Sequence, residues 1–266
     1  MGNNVEKATL PIGVFDSGVG GISVLRELVK LMPNENYIYF GDSANAPYGT
    51  KPLEQVVELV CNDAAYLYEK GVKALVVACN TATSVGIQIL RERYTDIPVI
   101  GIEPALKPAV LSGNHPKVIV MATPMTVRET KFLRLMKRFE EQAEIMPLPC
   151  PGLMEFVEKG DFDSQELETY LQKLFAPYKK IDAVVLGCTH YPFVKKTIQK
   201  VLGYRVRLFD GGEGTARETK RQLMDRMLLN PSQMSGKVIF ENSAKEESLI
   251  EFCKVLLNYG ENIKEL

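Results

Sequence analysis

The chain has 266 residues, 45% of them hydrophobic and 24% charged, a balance ordinary for a soluble globular protein long enough to bury a core. Its 32 basic and 33 acidic residues leave a formal charge of −1, which speaks against a surface built to coat nucleic acid. No apolar run reaches the ~18 residues of a membrane span, and the opening MGNNVEKATL lacks the layout of an export signal, so a cytoplasmic protein with no membrane partner is expected.

In chain order, a strand over 11–15 leads into a helix over 22–32, and a strand over 36–40 into a Pro- and Gly-bearing loop and a helix over 53–69. Strands over 72–78 and 98–102 follow, with a helical pattern between them. Next come a strand over 117–122, a helix over 126–139, a strand over 144–148, a helix over 164–178, and strands over 182–187 and 205–209. A helix over 214–228 and an edge strand over 237–241 complete the pattern. Runs such as ALVVA (74–78), VIVMA (118–122) and AVVLG (183–187) are apolar without alternation, as strands covered on both faces are. The repeated β-α order predicts an α/β protein with right-handed crossovers.

The pattern also repeats on a longer scale. KALVVACNTATSVGIQIL (73–90) and DAVVLGCTHYPFVKKTIQ (182–199) share an apolar strand, a small residue, a cysteine, polar residues and a helix. Their cysteines, Cys79 and Cys188, stand 109 positions apart, and the upstream strands opening at residues 12 and 118 stand 106 apart. Two matches at nearly one offset predict an internal duplication into two similar parallel-sheet α/β lobes. The first lobe, residues 1–100 plus 211–266, carries Cys79; the second, 101–210, carries Cys188.

Ligands of doubly wound sheets bind beyond the carboxyl ends of the strands. Asp16-Ser17, Cys79-Asn80-Thr81, Thr123 and Cys188-Thr189-His190 each follow a strand, so facing lobes would bring them to one cleft with one thiol from each lobe. Cys61 and Cys253 lie inside helical patterns and read as small buried hydrophobes, whereas Cys79 and Cys188 open polar turns where a helix N-terminus favours a thiolate. Five cysteines and two histidines without a C-x-x-C pair predict neither a disulfide frame nor a metal site.

Two opposed thiols suit a two-base isomerisation, in which one group removes an α-proton from one face and the other returns a proton to the opposite face. Hydroxyl and amide groups of Ser17, Asn80, Thr81, Thr123, Thr126 and Thr189 would bind an amino acid's carboxylates without a cationic patch. Asp16 and His190 would tune the thiols or meet the ammonium group. In the loop 41–52, Gly49 allows close backbone approach to a carboxylate and Tyr48 offers a hydroxyl donor. Two rivals stand beside this reading: a thiol hydrolase using Cys188 and His190, which leaves Cys79 idle, and a ligand-binding protein with the same cleft. Gly18-Val19-Gly20-Gly21 departs from a dinucleotide-binding loop. His115, in a GNHP turn, reads as solvated.

FDSGVGG (15–21), PYG (47–49), ACNTAT (78–83) and GCTHYP (187–192) occur in the order found in the glutamate racemases, which the chain resembles from about residue 10 to about residue 215. The resemblance implies a cofactor-independent isomerase that interconverts L- and D-glutamate and supplies D-glutamate for peptidoglycan. It implies Cys79 and Cys188 as proton donor and acceptor, the first toward the D-enantiomer and the second toward the L-enantiomer. Asp16 would assist Cys79 and His190 would assist Cys188. Asp16, Ser17, Tyr48, Gly49, Asn80, Thr81, Thr189 and His190 would contact substrate. It further implies a homodimer, and Glu158 rather than Glu155 as the carboxylate supporting Cys188. The chain departs from the family at Asn45-Ala46, where an arginine is common, at Gly152, Met154 and Glu155, where apolar residues and a proline are usual, and over 240–248.

Overall fold

Short, largely apolar runs form the strands, each within two residues of its predicted limits. A computed structural model describes residues Gly2–Tyr259. The chain opens with α1 (Gly2–Thr9), β1 (Ile12–Asp16), α2 (Ile22–Leu31), β2 (Tyr37–Gly41), α3 (Leu53–Glu69), β3 (Ala74–Val77), α4 (Asn80–Arg93) and β4 (Val99–Gly101). It continues through α5 (Leu106–Val110), β5 (Lys117–Ala122), α6 (Thr130–Lys137), β6 (Glu144–Pro149), α7 (Leu153–Glu158), α8 (Gln165–Phe175), β7 (Ala183–Leu186), α9 (Lys195–Leu202) and β8 (Arg207–Asp210). The last elements are α10 (Gly212–Asp225), β9 (Val238–Asn242) and α11 (Glu247–Asn258). Two units result, one of residues up to Ile102 with those from Gly212 onward, the other Glu103–Gly211.

The first unit holds a five-stranded sheet in the order β4-β3-β1-β2-β9, and the second a four-stranded sheet in the order β6-β5-β7-β8. Every pairing in both is parallel. Matched by chain order, β1 to β4 and β5 to β8 have the same neighbours: the first strand of each set lies between the second and the third, and the third pairs the fourth. The strand β9 is an addition at the edge of the first sheet.

Both sheets are filled by branched aliphatic side chains. Ile12, Val14, Leu75 and Val77 are fully buried in the first unit. In the second, Val118, Val120, Ala183 and Val185 pack with Leu106, Ala109, Val110 and Phe132. Burying each Val, Leu or Phe stabilises the fold by roughly 1.5–3 kcal/mol. Glycine is required where chain segments crowd near the strand ends: a Cβ on Gly21 would meet Asp16 Cβ at 2.5 Å, and one on Gly187 would meet the Met121 carbonyl at 2.6 Å.

Two helices differ from expectation. The stretch 126–139 divides into a 3₁₀ turn over Thr126–Arg128 and α6. Beyond Cys188 the chain first forms a 3₁₀ turn over Tyr191–Val194, containing Pro192, and α9 begins only at Lys195. Cys188 therefore does not sit on an α-helix N-terminus, unlike Cys79. The short helices α5 and α7 and the terminal α1 and α11 have patterns too brief or too weak to stand out from the sequence.

Candidate active site

Register brings the first set of residues together. In the pair β1–β3, Phe15 lies opposite Val77 and Ala78 N–H donates to the Phe15 carbonyl at 2.8 Å, so Ser17 and Cys79 leave the sheet side by side. Cys79 Sγ donates to Ser17 Oγ at 3.6 Å. Cys79 is also the N-cap of α4, its sulfur accepting from Ala82 N–H at 3.4 Å. That places the sulfur at the positive end of a four-turn helix, which favours a thiolate.

Around it, Asp16 is fully buried and accepts from Gly18 N–H at 3.0 Å. A carboxylate thus already occupies the turn that a dinucleotide phosphate would need. Asn80 and Thr81, in the first turn of α4, are both buried. Asn80 Oδ1 is, among the described residues, the buried side-chain oxygen that lacks a hydrogen-bond partner. A buried acceptor left open costs about 1–3 kcal/mol, so it marks a place where a donor from outside the fold belongs.

The second unit repeats the arrangement with different chemistry. In β5–β7, Met121 lies opposite Leu186 and Gly187 N–H donates to the Met121 carbonyl at 2.7 Å, which sets Thr123 beside Cys188 as Ser17 stands beside Cys79. Thr123 Oγ1 is 2.9 Å from Thr126 Oγ1 and accepts from Thr126 N–H at 3.2 Å. Cys188 Sγ lies 3.6 Å from His190 Nδ1, and His190 Nε2 lies 2.7 Å from Glu158 Oε1. Cys188, Thr189 and His190 are all buried. Desolvation alone would drive the imidazole toward its neutral form. Hydrogen bonds to Cys188 and Glu158, and their charges, outweigh it and hold the His190 pKa well above the ordinary histidine value. Of the two nearby glutamates, Glu158, the last residue of α7, is the one that meets His190.

Tyr48 and Gly49 lie in a 3₁₀ turn beyond β2, the strand beside β1. The Tyr48 hydroxyl, expected to point toward a ligand, is instead engaged within the fold, 2.6 Å from Asp42 Oδ2 and 2.7 Å from Asp63 Oδ2. Neither aspartate was singled out from the sequence. Asp63 carried a usable signal, because it shares one face of α3 with Val56, Val60, Ala64 and Leu67, a charged residue in an apolar stripe.

The remaining candidates differ in their settings. His115 is exposed in its turn. Cys253 is buried in α11 and Cys61 half-buried on α3. Cys150 is buried next to β6, where desolvation pushes its thiol pKa upward, with the Cys188 charge adding to the effect. All five cysteines are unbridged. Among the described residues no cluster of His, Cys, Asp and Glu has the make-up of a metal site, and no helix is long and apolar enough to cross a membrane.

Residues 12–219 match the Asp/Glu/Hydantoin racemase family. A glutamate racemase of Clostridium botulinum is 51% identical over 255 residues, 95% of this chain and 99% of that protein. The crystal structure of glutamate racemase from Francisella tularensis in complex with D-glutamate superposes with a TM-score of 0.83 at 31% identity, covering 94% of each chain. The Escherichia coli glutamate racemase in complex with L-glutamate and the activator UDP-MurNAc-Ala gives 0.81 at 32% identity, covering 93% of this chain and 95% of that one. Likeness of this extent, running nearly end to end through both units and both cysteines, makes the chain a member of the Asp/Glu/Hydantoin racemase family.

Proposed function

We propose that this chain interconverts L- and D-glutamate, with Cys79 and Cys188 as the two groups that carry the α-proton on and off opposite faces of the substrate. The observation that carries the reading is the repeated placement of a buried thiol, beside a hydroxyl residue, just past the third strand of each parallel sheet. A hydrolase would need one such thiol; inversion of a stereocentre needs two.

In the L-to-D direction, the Cys188 thiolate takes the α-proton of L-glutamate while the Cys79 thiol delivers its own to the opposite face. The product leaves with Cys188 as thiol and Cys79 as thiolate, and the reverse direction exchanges the roles. His190, tied to Glu158, stabilises the Cys188 thiolate before abstraction. Asp16 assists Cys79 and Ser17 orients it, and the α4 N-terminus favours its ionised form. An amino-acid α-proton is only weakly acidic, so donors must meet the charge that develops on the α-carboxylate as the proton leaves. Thr81, Thr189 and the backbone N–H groups at the start of α4 and at Tyr48-Gly49 are suited to that task. The open Asn80 Oδ1 accepts from the substrate ammonium group. The reacting atoms are kept from water, since a thiolate and an α-carbanion would otherwise exchange protons with solvent. No cofactor enters this scheme. The working form is a cytoplasmic homodimer, and the D-glutamate it makes feeds peptidoglycan assembly.

The test is incubation of the protein with L-glutamate in D₂O, following optical rotation and the α-proton resonance together. Rotation decaying to zero with deuterium at Cα is the expected result. A folded protein that leaves both signals unchanged overturns the reading.

A further inference from the structure

Tyr48 has one hydroxyl proton, yet its oxygen lies 2.6 Å from Asp42 Oδ2 and 2.7 Å from Asp63 Oδ2. Both separations are hydrogen-bond lengths, and all three side chains are buried. A hydroxyl donates once, so two ionised carboxylates cannot both be satisfied by it. One of the two contacts must run the other way, from a protonated carboxyl to the phenol oxygen.

Hydrogen bonding identifies which carboxyl that is. Asp42 Oδ1 already accepts from Asn45 Nδ2 at 3.0 Å, and with Tyr48 on Oδ2 both its oxygens face donors, as suits an anion. Asp63, on the apolar face of α3, meets only the Tyr48 oxygen among the described residues. We propose that Asp63 is held as the neutral acid and donates to Tyr48, which donates to Asp42, making Asp63 a positioning residue that fixes the 41–50 segment for substrate. The proposal rests on the reading above, in which the Tyr48-Gly49 backbone binds glutamate.

The groups facing Asp63 agree with this direction. Burial raises its pKa most, the Asp42 charge adds to that, the Tyr48 hydrogen bond opposes it and Asp16 adds a little, bringing it to about 8. The chain of contacts also reaches the first thiol's surroundings, because Asp42 N–H donates to the Asp16 carbonyl at 2.9 Å. Above that pH, Asp63 releases its proton to solvent. Two carboxylates then share one hydroxyl proton and repel each other across it, and the segment that they hold in place loosens.

The experiment compares pH profiles of KM and kcat for glutamate in the wild type, Asp63→Asn and Asp63→Ala. The asparagine amide donates to Tyr48 as the neutral acid does but cannot ionise. Wild-type KM should rise about tenfold from neutral pH to about pH 9, beyond any rise in Asp63→Asn, which titrates its thiols alike but stays within about twofold of the neutral wild-type value. Asp63→Ala should show KM raised about tenfold already at neutral pH, with kcat much less affected. An infrared carboxylic-acid C=O band present in the wild type at neutral pH, lost at alkaline pH and missing from Asp63→Asn, reports the proton directly. An Asp63→Asn variant as impaired as Asp63→Ala, or a wild type without that band, overturns the proposal. A wild type inert toward glutamate would defeat the functional reading instead, while the infrared band still decides the protonation state.

Discussion

Cys79 and Cys188 leave equivalent strands of two sheets with the same order of pairing, each beside a hydroxyl residue, yet their surroundings handle protons differently. Cys79 leans on a helix N-terminus and a serine; Cys188 faces a histidine backed by a glutamate. The repeated scaffold thus fixes where each sulfur stands, and the turn after each strand decides how that sulfur gains and loses its proton. On the proposed reading, a repeated scaffold serves a reaction whose two faces are mirror-related, while each thiol keeps neighbours of its own.

The sharpest way to break this comparison is to remove each sulfur in turn. Cys79→Ser and Cys188→Ser should each lower racemisation by ~10³-fold or more, because a serine hydroxyl is a far weaker base at neutral pH than a thiolate. A Cys79→Ser enzyme with most of its activity would favour a single-thiol mechanism. Next in size, His190→Asn should cost ~10²-fold. The two enantiomers of glutamate have equal free energies in water, so kcat/KM must fall equally in both directions. The asymmetry has to be read from isotope effects: α-deuterated L-glutamate should show an increased effect and the D-isomer should not. Equal increases would show that His190 serves both steps.

Smaller effects sharpen the contrast. Glu158→Gln removes one of the interactions that keep the His190 pKa raised, so His190 loses its proton at lower pH. The alkaline limb of the kcat/KM profile should then move toward neutrality, with a loss of about tenfold at its former optimum. The buried acid of the first unit predicts a stability signature. The folded pKa of Asp63, about 8, lies above the ordinary 3.8, so its contribution to stability is complete below pH 3.8 and declines as pH rises to about 8. Asp63→Asn should flatten that decline, a difference of several kcal/mol at pH 8 in denaturant titrations. Smallest of all, Cys253→Ala should cost about 1 kcal/mol through lost packing in α11 and leave turnover intact.

The central strands were legible because parallel strands covered on both faces are continuously apolar, and the short, β-branched runs ALVVA and AVVLG are bounded by turn residues. The thiols were legible because cysteine opening a polar turn is out of place as a core residue. What stayed hidden depends on contacts distant in sequence. The pairing of His190 with Glu158 rather than Glu155 was named only by family likeness, since a six-residue helix has too weak a pattern to show which face it turns inward. The acidic partners of the Tyr48 hydroxyl stayed hidden because they come from just past β2 and from the middle of α3. Nothing local to the PYG turn reports them.

The strand β9 has a consequence for synthesis. It covers the β2 edge, pairing Tyr37 with Val238 and Gly41 with Asn242, although some two hundred residues separate the partners. On the ribosome, the apolar β2 therefore emerges long before the segment that protects it, and the entire second unit is made in the interval. Nascent chains that stall before residue 238 would present an open, fully apolar strand edge, a template for association with other chains. The sequence past Leu228, far along the chain from Cys79 and Cys188, thus bears on how much of the protein reaches its active form.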